Sequence, residues 1–369
     1  MKGIDLNGNP LLPDLAQFYV AGQMAREGEV RHIYEPHIVW HRINEELHRD
    51  QGSGTNFYYP PFVPWLCVPL SFLPYAPTAW IYFVLSLLLG LGLGWRIPQA
   101  WAASRPDARE ACGLFVASVP FWRDVLYGQN ALISLTLLWA FYEAWRHRKH
   151  FLAGVILALG AYKPQLFVGA WFWIFLFGSL SSWLGLMVGL GALGLLGSVV
   201  GLGLWPEWIA AMSRLQDVPN SHARMLSMHN AFTLVSPQNS WSGIECLLWL
   251  LFSVIWLWAL VALRMRPFNE ANRDLSMAVA LLGWGLLTPR LYQYDLLIFY
   301  PLLVGWWAWI QSQSQGTRGK WIGWLSLVVA CFYMTDLAGR LKLPILTLLA
   351  AGLFGSVCYN ILRLNIKRN

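Results

Sequence analysis

The chain has 369 residues, of which 57% are hydrophobic and only 12% charged, and its mean hydropathy is +0.45. An ordinary globular chain carries about 25% charged residues, so the composition excludes a soluble domain and describes a polytopic membrane protein; the apolar runs are continuous, which excludes a β-barrel. The net charge of +7 gathers in short loops such as Arg146-His147-Arg148-Lys149 and 363–368, where a positive-inside bias accounts for it without a nucleic-acid partner.

The first sixty residues are the polar exception. Asp14, Glu27, Glu29, Glu35, Glu45, Glu46 and Asp50 sit there among aromatic residues, and the stretch closes with Tyr58-Tyr59-Pro60-Pro61. Such a segment on a chain otherwise suited to lipid must lie in water at one membrane face. Residues 13–28 read as an amphipathic helix with Phe18, Val20, Ala21 and Met24 on its apolar side and Gly28 at its end. Residues 36–50 read as a second, with Ile38, Ile43 and Leu47 toward the membrane, so both are expected as surface helices. The run 60–74 is interrupted by Pro60, Pro61, Pro64 and Pro69 and is expected as a juxtamembrane or re-entrant helix.

Further along, apolar runs measured against bilayer thickness give about eleven spans. They fall near 77–98, 111–121, 129–146, 151–162, 164–178, 182–203, 241–264, 274–288, 293–312, 320–336 and 343–363. Several are shorter than the ~20 residues of a full crossing, and Lys163-Pro164 interrupts two of them. The glycine-rich stretch 185–197 reads as small-residue helix packing. The five cysteines, Cys67, Cys112, Cys246, Cys331 and Cys358, are far apart inside apolar segments and imply neither disulfides nor a metal site.

Positive charge orients the spans. With the loops at 96–109, 146–149, 264–273 and 318–320 and the tail 364–369 cytoplasmic, residues 1–76, 122–128, 163, 204–240 and 289–292 lie outside. The chain thus divides into an outer-face region 1–76, a transmembrane bundle 77–363 and a cytoplasmic tail. Residues 1–17 lack the apolar core of a signal peptide, so a transmembrane helix is expected upstream to carry the acidic segment across.

This topology brings Asp14, Tyr58, Tyr59, Arg123, Asp124, Gln129, Asn130, Lys163, Gln165, Arg290, Gln293, Tyr294 and Asp295 to the outer face. Carboxylates beside cations suit glycosyl transfer from a phosphate-bearing lipid: an Asp takes the proton of the attacking hydroxyl while Lys or Arg neutralises the leaving phosphate. Ordinary roles compete for the same residues. Asp14 could cap a helix, Lys163 could snorkel, Gln129 and Asn130 could start a helix after Gly128, and Asp295 could pair with Arg290. Tyr58 and Tyr59 could be belt aromatics. His37, His41 and Glu45 have metal-ligand spacing, but an exposed amphipathic face explains it as well. The loop 204–240, with Trp205, Trp208, Arg214, His222, Arg224, His229 and Asn230, is long enough to form a lid that recognises an acceptor.

The chain resembles glycosyltransferase family 87 on an ordered set of short motifs. They are Asp14-x-x-x-Phe18-Tyr19-x-Ala21-Gly22, Ile33-Tyr34-Glu35-Pro36, Tyr59-Pro60-Pro61 and Gly128-Gln129-Asn130, followed by Ala161-Tyr162-Lys163-Pro164-Gln165, Thr288-Pro289 and Tyr294-Asp295-Leu296. The resemblance implies an all-α bundle of the GT-C fold that uses a polyprenyl-phosphate sugar, mannose or another hexose, as donor. It makes Asp14 the general base, sets Lys163, with Arg123 and Arg290, near the donor phosphate, and assigns Tyr19, Tyr58, Tyr59, Gln129, Asn130, Gln165, Tyr294 and Asp295 to the substrate cleft. The expected enzyme sits in the plasma membrane, faces outward and inverts the anomeric centre, with a glycan or glycolipid as acceptor. The lipid-linked sugar is its co-substrate, with no cofactor and no metal. The rival reading is a secondary transporter, which predicts paired broken helices in two related halves.

Overall fold

The computed structural model describes residues 11–47, 57–100, 108–199, 201–214, 227, 229, 243–266, 270–311 and 352. It is all-helical, 83% helix, with no strand among the described residues. In chain order come α1 (Leu15–Glu27), α2 (Pro36–Glu46), α3 (Val63–Cys67), α4 (Tyr75–Ala100), α5 (Ala108–Ala117), α6 (Val119–Tyr127), α7 (Ala131–Arg146) and α8 (His150–Leu159). They are followed by α9 (Pro164–Phe177), α10 (Leu180–Gly197), α11 (Leu204–Arg214), α12 (Gly243–Arg264), α13 (Glu270–Leu287) and α14 (Tyr300–Gln311).

The helix at the N-terminal end forms where its apolar residues predict, but it does not lie on a surface. In α1, Leu15, Ala16, Val20, Ala21 and Met24 have no exposed area, and even Gln17 is buried. The cause is a roof: α3 and the 3-10 turn Val68–Phe72 lie across it so closely that a Cβ on Gly22 would stand 2.3 Å from the Cys67 carbonyl oxygen. Tyr19 donates to the Leu73 carbonyl at 2.9 Å and Arg26 to that of Ser71 at 2.5 Å, so the roof is hydrogen-bonded as well as packed. The helix ends at Gly28, whose φ of 79° is the left-handed conformation that a side chain resists. Only α2 is the expected surface helix; it buries Val39 and Ile43 and exposes His37 and His41, and its Arg42 bridges Glu27 and Glu29 at 2.5 Å each.

Three helices are long and apolar enough to cross a bilayer, Tyr75–Ala100, Leu180–Gly197 and Gly243–Arg264, and a fourth crossing results if α6 and α7 count as one bent span. At about 1.5 Å per residue α4 reaches some 39 Å, past the ~30 Å hydrocarbon core. Its outward residues Trp80, Ile81, Val84, Leu85 and Leu88 are exposed, as are Leu247, Leu250, Leu251 and Val254 of α12, which is the surface of a protein solvated by lipid. Of the expected eleven spans, three or four are matched by helices of crossing length among the described residues, and those at 320–336 and 343–363 lie outside them apart from residue 352.

Most of the other expected spans are broken or short, while 274–288 is matched as far as residue 287 by the unbroken α13. The span at 111–121 breaks at Ser118, whose Oγ caps α6 and is followed by Pro120. The segment 293–312 begins as a 3-10 turn, Gln293–Phe299, before α14 takes over. Residues 151–162 and 164–178 become the apolar helices α8 and α9, of 10 and 14 residues, parted at Lys163. Small residues let α8 and α10 touch through their backbones, as the glycine-rich stretch predicts: a Cβ on Gly154 would meet the Ser182 carbonyl oxygen at 2.1 Å, and one on Gly185 that of Phe151 at 2.0 Å. Helix α9 packs on α13, and the 3-10 turn 293–299 packs on α6 and α7.

Candidate functional site

The site begins at the joint between α6 and α7, where the chain turns by 115°. Gly128 makes the turn with φ 70°, and a Cβ there would stand 2.8 Å from those of Leu12 and Leu15. The joint is thus wedged against the start of α1, and the Asp14 N–H donates to the Tyr127 carbonyl at 3.0 Å. The buried carboxylate of Asp124 accepts from the N–H groups of Ala131 and Leu132 at 2.6 and 3.3 Å. It satisfies the first turn of α7 in place of the usual capping residue, which frees the side chain of Asn130.

From this joint a string of side-chain hydrogen bonds runs through elements far apart in sequence. Gln129 Nε2 donates to Asp14 Oδ2 at 2.7 Å. Next to it, Asn130 donates through Nδ2 to the Tyr59 hydroxyl at 3.1 Å and accepts at Oδ1 from Lys163 Nζ at 3.0 Å. Lys163 Nζ also donates to Asp295 Oδ1 at 2.6 Å and lies 5.0 Å from the centre of the Tyr294 ring. Lys163 and Asp295 are 3% and 1% exposed, so this ion pair is shielded from water. The ring of Tyr59 lies 6.3 Å from that of Tyr162 and parallel to it, and Phe18 meets its edge.

Asp14 occupies the N-cap position of α1, yet its side chain makes no capping bond and reaches Gln129 instead. Lys163 does not snorkel to water, and Asp295 pairs with Lys163 rather than needing Arg290. Burial pushes the Asp14 carboxyl above the ordinary carboxylate range; the Gln129 hydrogen bond and the charge of Lys163 pull it part of the way back.

Other expected site residues stand elsewhere. Tyr19 is bonded to the α1 roof and packs edge-on against Tyr75. Tyr58 and Gln165 contribute carbonyls, which accept from the indole N–H of Trp208 and Trp284 at 3.0 and 2.8 Å. Arg123 sits half-buried on α6 beside Asp124, and Arg290 half-buried in the turn after Pro289. Of the expected lid, α11 folds against Tyr58 through Trp208, Ser227 donates to the Pro289 carbonyl at 3.1 Å, and His229 bonds Glu245 at 2.6 Å. His222, Arg224 and Asn230 lie outside the described residues. His41 pairs with Glu45 at 3.4 Å and His37 with Glu35 at 3.7 Å on the exposed face of α2.

Sequence reasoning passed over Tyr82 and Tyr162. The first donates to the Gln129 carbonyl at 2.7 Å, the second to that of Asn130 at 3.0 Å, so two hydroxyls hold the joint in place. Tyr162 could have been found beside Lys163 in its motif; Tyr82, inside an apolar span, reads like any belt aromatic.

A model described as Glycosyltransferase family 87 matches residues 57–289 of the chain. The matched part holds Tyr59, Gln129, Asn130 and Lys163, while Asp14 and Asp295 flank it. No curated protein and no solved structure matches.

Proposed function

Because the chain belongs to glycosyltransferase family 87, we propose that it transfers a sugar, mannose or another hexose, from a polyprenyl-phosphate donor to an acceptor hydroxyl. The reaction takes place at the outer face of the plasma membrane, on a GT-C-like bundle. One observation carries this reading: Asp14, ahead of the bundle, is joined through Gln129 and Asn130 to the buried pair Lys163 and Asp295 at one end of the helices. A half-buried carboxylate and a buried cation are thus held at one end of the helices, where burial strengthens their electrostatics.

In the proposed step Asp14 accepts the proton of the acceptor hydroxyl as its oxygen bonds the anomeric carbon from the face opposite the phosphate. The carbon–oxygen bond to the phosphate breaks with its electron pair, polyprenyl phosphate leaves, and the anomeric centre is inverted. Lys163 has three N–H donors; Asn130 and Asp295 take two, and the third serves the phosphate, aided by Arg123 and Arg290. The acceptor, a glycan or glycolipid, approaches from the aqueous side, where α2 presents its charged face.

The test uses membranes containing the full chain and radiolabelled polyprenyl-phosphate mannose, with wild type compared to Asp14→Asn at equal protein level. Transfer falls by at least about 100-fold in the variant, the contribution typical of a general base. Transfer that persists at the wild-type rate removes Asp14 from the mechanism.

A further inference from the structure

Gln129 has every polar group engaged except one. Its backbone N–H donates to the Asp124 carbonyl at 2.9 Å, its carbonyl accepts from Tyr82 at 2.7 Å, and its Nε2 donates to Asp14 at 2.7 Å. The remaining atom, Oε1, is buried without a hydrogen-bond partner on a residue only 5% exposed. Buried amide oxygens are rarely left so. The orientation of the amide follows from chemistry, because an ionised carboxylate only accepts; the nitrogen must face Asp14, and the oxygen is left for another donor.

Resting on the reading of Asp14 as base, we propose that Gln129 is the positioning residue of that base: its N–H fixes Asp14 Oδ2, and its free Oε1 takes a hydrogen from a second hydroxyl of the acceptor. The first contact leaves Asp14 Oδ1 to face the attacking hydroxyl. The second ties the acceptor to the amide that orients the base, so an acceptor with two neighbouring hydroxyls is held in register with it. A glutamine that served only to join α1 to the joint would have no use for a buried acceptor atom. Besides Gln129, the charged and titratable groups facing Asp14 are Lys163 from the start of α9, Tyr59 from the stretch before α3 and Tyr294 from the 3-10 turn. None of them is altered by a substitution at Gln129.

The full chain in lipid nanodiscs is titrated by infrared difference spectroscopy, with the Asp14 carboxyl band identified by its loss in Asp14→Asn. Gln129→Met removes the donor to the ionised form and raises the midpoint by about one pH unit or more. Gln129→Glu, close in size, raises it further because two carboxyls then face each other. Midpoints unchanged in both variants overturn the proposal. In the label-transfer assay, with a membrane lipid extract as acceptor, Gln129→Met lowers kcat at least about tenfold. It also raises the half-saturating amount of extract severalfold and leaves that of the donor unchanged. Equal shifts for donor and extract overturn the acceptor contact. If Asp14→Asn still transfers label, the base reading fails and the catalytic meaning of Gln129 fails with it; an unchanged midpoint beside an inactive Asp14→Asn sinks Gln129 alone.

Discussion

Asp14 is held in a state that the fold disfavours. With its carboxyl pushed above the ordinary 3.8 by burial, the group contributes stability while protonated, and that contribution is lost as pH rises through the raised value. In the proposed reaction the base must be ionised, so transfer is expected to gain over the same window in which stability declines. Two results are expected. The acid limb of the pH–rate profile lies above 3.8, and at neutral pH Asp14→Asn, although inactive, unfolds at a higher temperature than wild type, as read by thermal denaturation in detergent. The pair Lys163 and Asp295 behaves in the opposite way, because each member compensates the other's burial. Lys163→Met or Asp295→Asn alone costs about 3–5 kcal/mol, while the double variant recovers most of that loss; additive losses in denaturation of singles and double would contradict it. Sequence sorted Asp14, Asn130, Lys163 and Asp295 to one face because polar groups in an apolar chain are few and parity orders them. It could not pair them, since the same reading left Arg290 as the partner of Asp295; only the fold of the segment after α13 decides between the two cations.

At the scale of elements, backbone contact decides what the helices tolerate. Gly185 meets the Phe151 carbonyl, which no rotamer change can move aside, whereas Gly191 on the same helix has nothing within 4 Å of its would-be Cβ. Gly185→Ala is therefore expected to cost about 1–3 kcal/mol by forcing α8 from α10. Gly191→Ala is expected to be neutral or slightly stabilising, and equal losses for the two in a detergent unfolding series would rule out the packing argument. The small-residue stretch was legible as packing because spacing is a sequence property. The burial of α1 was not, for its amphipathic pattern and its place in an acidic segment before the bundle both suggested a surface. What reverses that reading is Gly22 and the proline-rich roof, a contact between segments forty-five residues apart that periodicity cannot see. The same holds for α5 and α6, where the break at Ser118 comes from capping chemistry inside what hydropathy reads as one uniform span.

For the whole molecule, the apolar exterior was open to the sequence, as was the shortness of several apolar runs; three or four crossings are long enough among the described residues. The two ends of α7 set a scale: from Ala131 beside the site to Arg146 is 16 residues, or about 24 Å. If the site faces outward, His41 on α2 and His147 past the far end of α7, both well exposed, lie on opposite sides of the membrane. His41→Cys then reacts with a membrane-impermeant maleimide in intact cells and His147→Cys only after permeabilisation; the reverse pattern would turn the enzyme over. The wedge of Gly128 against Leu12 and Leu15 carries a further consequence, one of timing. Asp14 leaves the ribosome 115 residues before Gln129, its partner, exists. At translation speeds of about 5–20 residues per second, that is a delay of roughly 6–23 s. The segment around Asp14 can therefore settle only after α6 and the start of α7 have been made.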